Sequence, residues 1–549
     1  MQRDLKRMVQ SDYDVIFVGG GVTGAAAAHD AAMRGLRVAL FERKDFGWAT
    51  SAATSKLIHG GLRYLKNLEF GLVRESLRER RTLELIAPHM VRPAPFLVPT
   101  YRHSSNNLPV IAAGMFLYDL LSYDKARLAD AERKLPHFRL FSRKRTLAEE
   151  PGVDPHDLTG GALYYDCQMH HPERLTLEFI LGATARGAQA ANYAEVTGLL
   201  KEGQRIAGVR VRDLLSGQQH EVRAQVTANV AGPWADFVSA FALGKEAQKH
   251  LIRSQGIHLV FRRVIDKYAV VLRTRGGRHF FLIPWRGKTL AGTTDEVYKG
   301  TPDGYQVTKH AAERFVREIN EVYPSAKLQM DDIIWTYGGL RPIVEEETNV
   351  QVEVYDASRK YEIYDHAETD KIQGFLTVIG GKYTTSRQLA ETLVDRIVTK
   401  LGLPAAPCQT ATTPLPGAGF GLWRDFLEEG RKQYPQVSPR VIEQLSWDYG
   451  SRREQILERM QDPELAKFVD ERHPIPAATV AFAVEQEMAL TLDDILWRRT
   501  GLGNTGELTE EAVRTAAQIA ASRLGWGKTR TDDEIAAAMD KLARRNMVE

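Results

Sequence analysis

Three cations in this chain stand beside glycine pairs: Arg63 after Gly60-Gly61, Arg341 after Gly338-Gly339 and Lys382 after Gly380-Gly381. A glycine pair lets backbone approach a flat ring, because no Cβ intervenes. A cation displayed there suits an anionic ligand, and a planar guanidinium can clamp a phosphate bidentately. Ordinary surface cations lie along helix faces instead. Lys56, His59 and Tyr64 crowd the first pair, and Thr50, Ser51, Thr54 and Ser55 precede it with hydroxyls and backbone donors. The pattern is that of a site for an anion next to a ring.

The elements that must position these groups begin at Tyr13. YDVIFVGGGVTGAAAAHDAAMRGLRVALFER reads as a strand, three glycines, an alanine-rich helix and a second strand ending on Glu42. Gly19, Gly21 and Gly24 give G-x-G-x-x-G directly after a strand and opening a helix, the context in which the motif signals a dinucleotide. Gly19 permits the tight turn, Gly21 lets a pyrophosphate approach, and Gly24 lets helix and strand pack closely. The free N–H groups of the helix start then face the diphosphate. Glu42 is placed for a ribose and disfavours a 2′-phosphate, so the cofactor expected is FAD or NAD.

The 549 residues, 43% of them hydrophobic, suffice for two or three domains. Balanced charge, 73 basic against 70 acidic residues, argues against nucleic acid. Cys167 and Cys408 have no metal or disulfide spacing and fit a reducing compartment. The start MQRDLKRMVQSDYD lacks the apolar core of a signal peptide, which predicts a cytoplasmic catalytic body. His170 and His171, adjacent on an extended segment, point to opposite faces, and no metal is expected.

Farther along, Phe70 to Pro88 reads as an amphipathic helix with a solvated charged face. Pro93 to Leu158 loses strand periodicity and is expected to be an insertion. Within it Leu108 to Leu121 is apolar but too short to span a bilayer; it suits a core helix or one lying on a membrane, with Arg102, Lys125 and Arg127 as basic flanks. Glu195 to Ala231 alternates like hairpins, Ile257 onward like an antiparallel meander. DDIIWTYGGLRPIVEEE is expected to return to the cofactor domain, with Arg341 displayed by a turn, and FLTVIGGKYTTSRQLAETLVDRIV gives a second strand, glycine turn and helix. Gly402 to Gly417 reads as a linker. Beyond it the chain is helical, with Pro439 at a helix start and capping boxes at Thr491/Asp494 and Thr531/Glu534.

ATSAATSKLIHGGLRYL resembles the signature of the FAD-dependent (aerobic, respiratory) glycerol-3-phosphate dehydrogenase family. GGGVTG with Glu42, IPW (Ile283 to Trp285), GTTD (Gly292 to Asp295), WTYGGLRP and GGKYTT resemble further motifs of that family. AGPW at Ala231 to Trp234 departs mildly from its A-T-G-P-W form, losing a hydroxyl and keeping the turn.

The resemblance implies an α/β protein: a two-dinucleotide-binding FAD fold of the glutathione-reductase and D-amino-acid-oxidase kind, an antiparallel-sheet substrate domain and a C-terminal α-helical domain. The corresponding boundaries are 1–403 for the oxidoreductase region and 404–549 for the helical domain. Within the former, the FAD-binding parts are about 10–95, 165–250 and 335–402, and the substrate parts about 96–164 and 251–334. FAD is then expected against Gly19, Gly21, Val22, Thr23, Gly24, Glu42 and Arg43. It would continue past Thr50, Ser51, Thr54, Ser55, Lys56 and Leu57 to His59, Gly60 and Gly61. Gly232 and Trp234 would close over it, with Arg341, Gly381, Lys382, Tyr383, Thr384 and Thr385 at the flavin edge.

The implied reaction is oxidation of sn-glycerol 3-phosphate to dihydroxyacetone phosphate, with electrons passed to a quinone. Arg63 and Lys382 would hold the phosphate, Arg341 and His258 the reacting hydroxyl, and Tyr64 and Thr294 would support them. Sequence leaves the proton-removing residue open. The alternative is an oxidase that uses dioxygen and releases hydrogen peroxide; a non-catalytic flavin binder would leave the cations without purpose. A quinone acceptor implies peripheral attachment to the inner face of the cytoplasmic membrane, and a homodimer is compatible with the reading.

Overall fold

The computed structural model describes residues 1–65, 67–102, 107–244, 251–344 and 361–549, with the Arg63 side chain outside the described set. Two sheets organise these residues. The first, of eight strands, runs Tyr361–Asp365, Phe375–Gly380, Gln219–Asn229, Tyr13–Val18, Val38–Phe41, Gln189–Ala191, and Ala194–Glu202 and Arg205–Asp213 extend the end of Gln219–Asn229. Tyr13–Val18 lies parallel to both neighbours and is buried along its whole length, as expected of a strand covered on both faces. The helix Val22–Met33 packs on it and against the helices Pro172–Thr184 and Ser386–Leu401. Its run of alanines permits that close packing.

The second sheet has ten strands in the order Glu296–Tyr298, Leu251–Phe261, Lys288–Gly292, His279–Trp285, Ala269–Arg273, Val91–Tyr101, Leu158–Met169, Leu57–Ile58. Ile333–Val344 pairs with Leu251–Phe261, and Arg139–Ser142 with Leu158–Met169. It is antiparallel except where Ala269–Arg273 meets Val91–Tyr101. The mixed α/β architecture of the expected FAD fold is therefore present.

Four local expectations need correction. Pro93, Pro95 and Pro99 lie inside the strand Val91–Tyr101, paired with Leu158–Met169. Their alternate spacing puts the missing N–H groups on one edge, where Ala269–Arg273 pairs only at Phe96 and Leu97. The segment Ile333–Val344 does not return to the cofactor sheet, and Arg341 is a strand residue there, opposite Ser254. On the helix Phe70–Ile86 the charged face is not solvated: Glu79, Arg80 and Glu84 are buried. Glu79 accepts from Arg387 at 2.7 Å, and Arg80 pairs with Asp166. Lastly Thr531 sits inside the helix Lys528–Ala543, its hydroxyl on Gly527 O at 3.1 Å.

The C-terminal helices cover the outer face of the second sheet, where Trp335 stacks on Trp497 at 5.8 Å. Thr491 and Asp494 form the expected reciprocal cap, with Asp494 N donating to Thr491 Oγ1 at 3.2 Å and Thr491 N to Asp494 Oδ2 at 3.0 Å. The turn Asp494–Arg499 that follows is π-helical.

Candidate active site

A cavity of about 970 Å³ runs from the glycine loop of the first sheet to the inner face of the second. At its first end Gly19 has φ +117°, a conformation that disfavours any side chain, and a Cβ there would lie 2.7 Å from Val230 O. A Cβ on Gly24 would stand 2.0 Å from Gly19 O. Both positions must be glycine for the helix to begin where it does. Glu42 lines the groove, and its carboxylate braces the loop, accepting from Gly20 N at 2.7 Å and Lys44 N at 2.8 Å. Burial pushes the Glu42 carboxyl up despite those donors. Ser51 Oγ takes the first free donor of the helix, Val22 N, at 2.9 Å. A glycine-walled groove at the start of the helix Val22–Met33, opening into this cavity, fits a dinucleotide.

Trp48 and Trp234 meet at 5.3 Å, their rings tilted by 33°, beside this groove. Asp303, from the other sheet's connections, ties Trp234 Nε1 at 3.0 Å and Arg43 at 2.7 Å. The segment that follows is fastened to the strand Ile333–Val344: Thr50 Oγ1 donates to Leu340 O at 2.6 Å and Tyr337 OH to Thr54 O at 2.8 Å. A Cβ on Gly339 would lie 2.6 Å from that of Ala53, so this glycine lets the two segments approach closely.

The far end of the cavity gathers the chemistry. His258 is buried, stacked on Tyr337 at 4.8 Å and 13°, with Nε2 2.9 Å from Ser55 Oγ. Burial, with Arg341 and Lys56 nearby, pulls its pKa well below 6.5, so the ring is neutral. Arg341 Nη2 donates to Thr293 Oγ1 at 2.7 Å and to Thr294 O at 3.4 Å, with Asp295 at 3.5 Å. Gly256 makes room for it, since a Cβ there would lie 2.1 Å from Nη2. Lys382 Nζ donates to Ser76 Oγ at 3.1 Å and rests 4.1 Å over the Tyr64 ring. It follows Gly380 and Gly381, both at positive φ.

Of the residues singled out from sequence, the cavity brings together Gly19, Gly21, Val22, Thr23, Glu42, Arg43, Thr50, Ser51, Thr54, Ser55, Leu57, His59, Gly61, Tyr64, Gly232, Trp234, His258, Arg341, Gly381, Lys382, Tyr383 and Thr384. Five others stand off its wall. Lys56 turns away: its ammonium lies 3.3 Å from Glu173 and over the rings of Trp285 and Tyr337. Thr294 spends its hydroxyl on Ile257 N at 3.0 Å and meets Arg341 only through its carbonyl. Gly60 is held by Tyr118 OH at 2.9 Å, Gly24 is covered by the loop, and Thr385 stands at the N-cap position of the helix Ser386–Leu401 without a side-chain cap bond. The Arg63 side chain lies outside the described residues.

Sequence reasoning missed Trp48, His279, Phe281 and the helix Leu108–Leu121 as walls of this cavity. His279 and Phe281 sit on alternate positions of one strand, the period-2 signal that would have found them. The helix contributes Val110, Ile111, Ala113, Gly114 and Leu117.

Comparison with known proteins agrees with this geometry. Residues 14–387 match the family described as FAD dependent oxidoreductase, and residues 408–531 match the C-terminal domain of alpha-glycerophosphate oxidase. The chain is 37% identical to the glycerol-3-phosphate dehydrogenase of Synechocystis sp., over 97% of each chain. It is 34% identical to the aerobic glycerol-3-phosphate dehydrogenase of Bacillus subtilis, over 91% of this chain and 89% of that one. The crystal structure of the Bacillus halodurans glycerol-3-phosphate dehydrogenase complexed with FAD superposes with a TM-score of 0.77 at 27% identity, covering 98% of this chain and 96% of that one. A glycine-loop groove, a cation-lined end to it and these similarities lead to one assignment: the chain belongs to the FAD-dependent glycerol-3-phosphate dehydrogenase family, with FAD as its cofactor.

Proposed function

We propose that this chain oxidises sn-glycerol 3-phosphate to dihydroxyacetone phosphate and delivers the electron pair to a quinone at a membrane surface. One observation carries the reading: Lys382, Arg341, His258 and Tyr64 line a single cavity that continues into the glycine-loop groove. FAD bound there supplies the acceptor for the hydride that leaves C2.

The chain's own groups bind and orient. Lys382, poised over Tyr64, meets the phosphate, with Arg63 as the second cation expected from sequence; a charged group at the far end of a small substrate fixes its other end. Arg341 faces the C2 oxygen, where negative charge develops as the C–H bond breaks, and its fixed bonds to Thr293 and Thr294 spare it reorganisation. His258 takes the hydroxyl proton. Its neutral ring can accept at Nε2, the nitrogen beside Ser55 Oγ; burial first, then Arg341 and Lys56, depress its basicity, and a phosphate dianion offsets the field of those two cations. Stacking on Tyr337 holds the ring plane. On this reading residues 1–403 carry the chemistry and 404–549 the helical C-terminal part.

The helix Leu108–Leu121 supports the quinone. Val110, Phe116 and Leu120 are exposed on it and Tyr123 just after it, and the same helix walls the cavity. An apolar acceptor could approach by that side from a bilayer. Lys125 takes no part in such a surface, since it is buried with its ammonium on Asp119 and Pro136 O. No helix of the described residues is long and apolar enough to cross a membrane.

The test is anaerobic mixing of the holoenzyme with glycerol 3-phosphate. Bleaching of the flavin's visible absorbance, restored by a soluble quinone faster than by air-saturated buffer, is the expected result. Bleaching restored as fast by dioxygen, with stoichiometric peroxide, replaces the quinone with the oxidase. No bleaching removes the substrate.

A further inference from the structure

The C-terminal helices carry none of the site residues, yet they reach the cofactor groove through one side chain. Asp45 stands three residues after Glu42 and is fully buried. Its carboxylate accepts from Arg498 Nε at 2.8 Å, Arg499 Nη1 at 2.7 Å, Arg499 Nη2 at 2.8 Å and Asn192 Nδ2 at 3.0 Å. Consecutive arginines on a regular helix would point about 100° apart. Here both arginines, at the end of the π-helical turn Asp494–Arg499, converge on one carboxylate, and such turns often sit at functional places.

The turn is anchored in its own right. Arg498 also binds Asp493 at 2.6 Å and Asp494 at 2.5 Å, and Tyr193 OH donates to Asp494 at 2.7 Å. Arg499 Nε donates to Glu487 O at 3.0 Å, and the Glu487 carboxylate is held by Arg174 at 2.9 and 3.0 Å and Arg452 at 2.9 Å. Burial opposes the charge on Asp45, but Arg499 and Arg498 overcome it and keep the carboxyl below its usual range. What Asp45 fixes is the groove wall. Lys44 N donates to Glu42, Gly47 N donates to Gly20 O at 3.0 Å, and Trp48, Ala49, Thr50 and Ser51 line the cavity.

We infer that Arg498 and Arg499 are positioning residues for the cofactor: through Asp45 they hold residues 42–51 in the shape that receives FAD, so that the helical C-terminal part sets cofactor affinity. The inference requires only that the groove hold FAD; it stands or falls apart from the substrate and acceptor named above. Linkage makes the relation reciprocal, so FAD binding must also steady the π-helical turn.

The test compares Arg499→Lys and Asp45→Asn with Arg453→Lys, a buried arginine of the same helical part that bonds Ser446 Oγ at 2.6 Å and Phe426 O at 2.9 Å, away from the groove. Folded protein, checked by far-UV circular dichroism, is titrated with FAD and followed by flavin fluorescence. A rise in the FAD Kd of tenfold or more for Arg499→Lys and Asp45→Asn, with Arg453→Lys within twofold of wild type, is expected. A Kd unchanged in the first two, or shifted equally in the third, overturns the inference. Where the variants do not fold, hydrogen exchange of wild-type protein with and without FAD decides: slower exchange at residues 493–500 on loading supports the link, and unchanged exchange there refutes it.

Discussion

Substituting Gly256 by alanine displaces Arg341 while leaving its own chemistry unchanged. Gly256 lies in the strand Leu251–Phe261, and its φ is not in the left-handed region, so the backbone tolerates a side chain. The new Cβ would lie 2.1 Å from Arg341 Nη2, 2.6 Å from Thr293 Oγ1 and 2.7 Å from Arg341 Cζ. Carbon and nitrogen need about 3.4 Å, so the guanidinium must retreat by about 1 Å or more. It is the far end of a flexible side chain, and its retreat costs the fold about 1 kcal/mol, the low end of overpacking. For the reaction, misplacing a charge-stabilising group by that distance costs about 10²-fold, or about 2.7 kcal/mol of transition-state stabilisation. The assay is anaerobic stopped-flow reduction of the flavin by glycerol 3-phosphate, beside FAD content and melting temperature. Expected is full FAD occupancy, a small loss of melting temperature and a rate of flavin reduction lowered about 100-fold. A rate within threefold of wild type would refute the role given to Arg341.

Lys382→Met removes the ammonium over Tyr64; KM for glycerol 3-phosphate should rise at least tenfold in steady-state assays, and a rise under threefold would count against Lys382 as the phosphate's partner. Glu84 is buried and its pKa is raised to about 7, chiefly by burial, so the folded chain holds a proton there that the unfolded chain has already released between about pH 4.5 and 7. Stability from this group therefore falls as pH rises through that window and the cost, of order 3 kcal/mol, is fully present above it. Glu84→Gln should melt higher than wild type at pH 8 and show a smaller difference at pH 5 by scanning calorimetry; equal differences at both would count against a neutral Glu84. Phe116→Ser with Leu120→Ser should weaken co-sedimentation with anionic vesicles severalfold while leaving flavin reduction by glycerol 3-phosphate intact; unchanged sedimentation would free the helix Leu108–Leu121 of that duty.

Much of the site was legible because the chemistry that marks it is local. The strand, glycine loop, helix and acid of residues 13–43 are contiguous, and the steric demands on Gly19 and Gly24 are met within one turn and its neighbour at Val230. The same holds for Thr491 and Asp494, whose cap closes over three residues. What was misread had its partner far away in the chain. The prolines of Val91–Tyr101 look like strand breakers until Leu158–Met169 pairs with the edge they leave intact. Glu79 and Arg80 read as a solvated face because Arg387 and Asp166, which bury them, lie hundreds or scores of residues on.

Sequence alone determined a dinucleotide cofactor, since the spacing of Gly19, Gly21 and Gly24 constrains backbone geometry directly, and the resemblance of its motifs pointed to FAD and to the family. Tertiary structure decided the direction of each side chain: it turned Lys56 onto Glu173 and away from the cavity, brought Arg341 to its place on a strand opposite Ser254, and set Arg498 and Arg499 on Asp45. The physical reason is that a side chain's orientation follows from which distant charges and surfaces pack around it, and those meet only when the sheets and helices close.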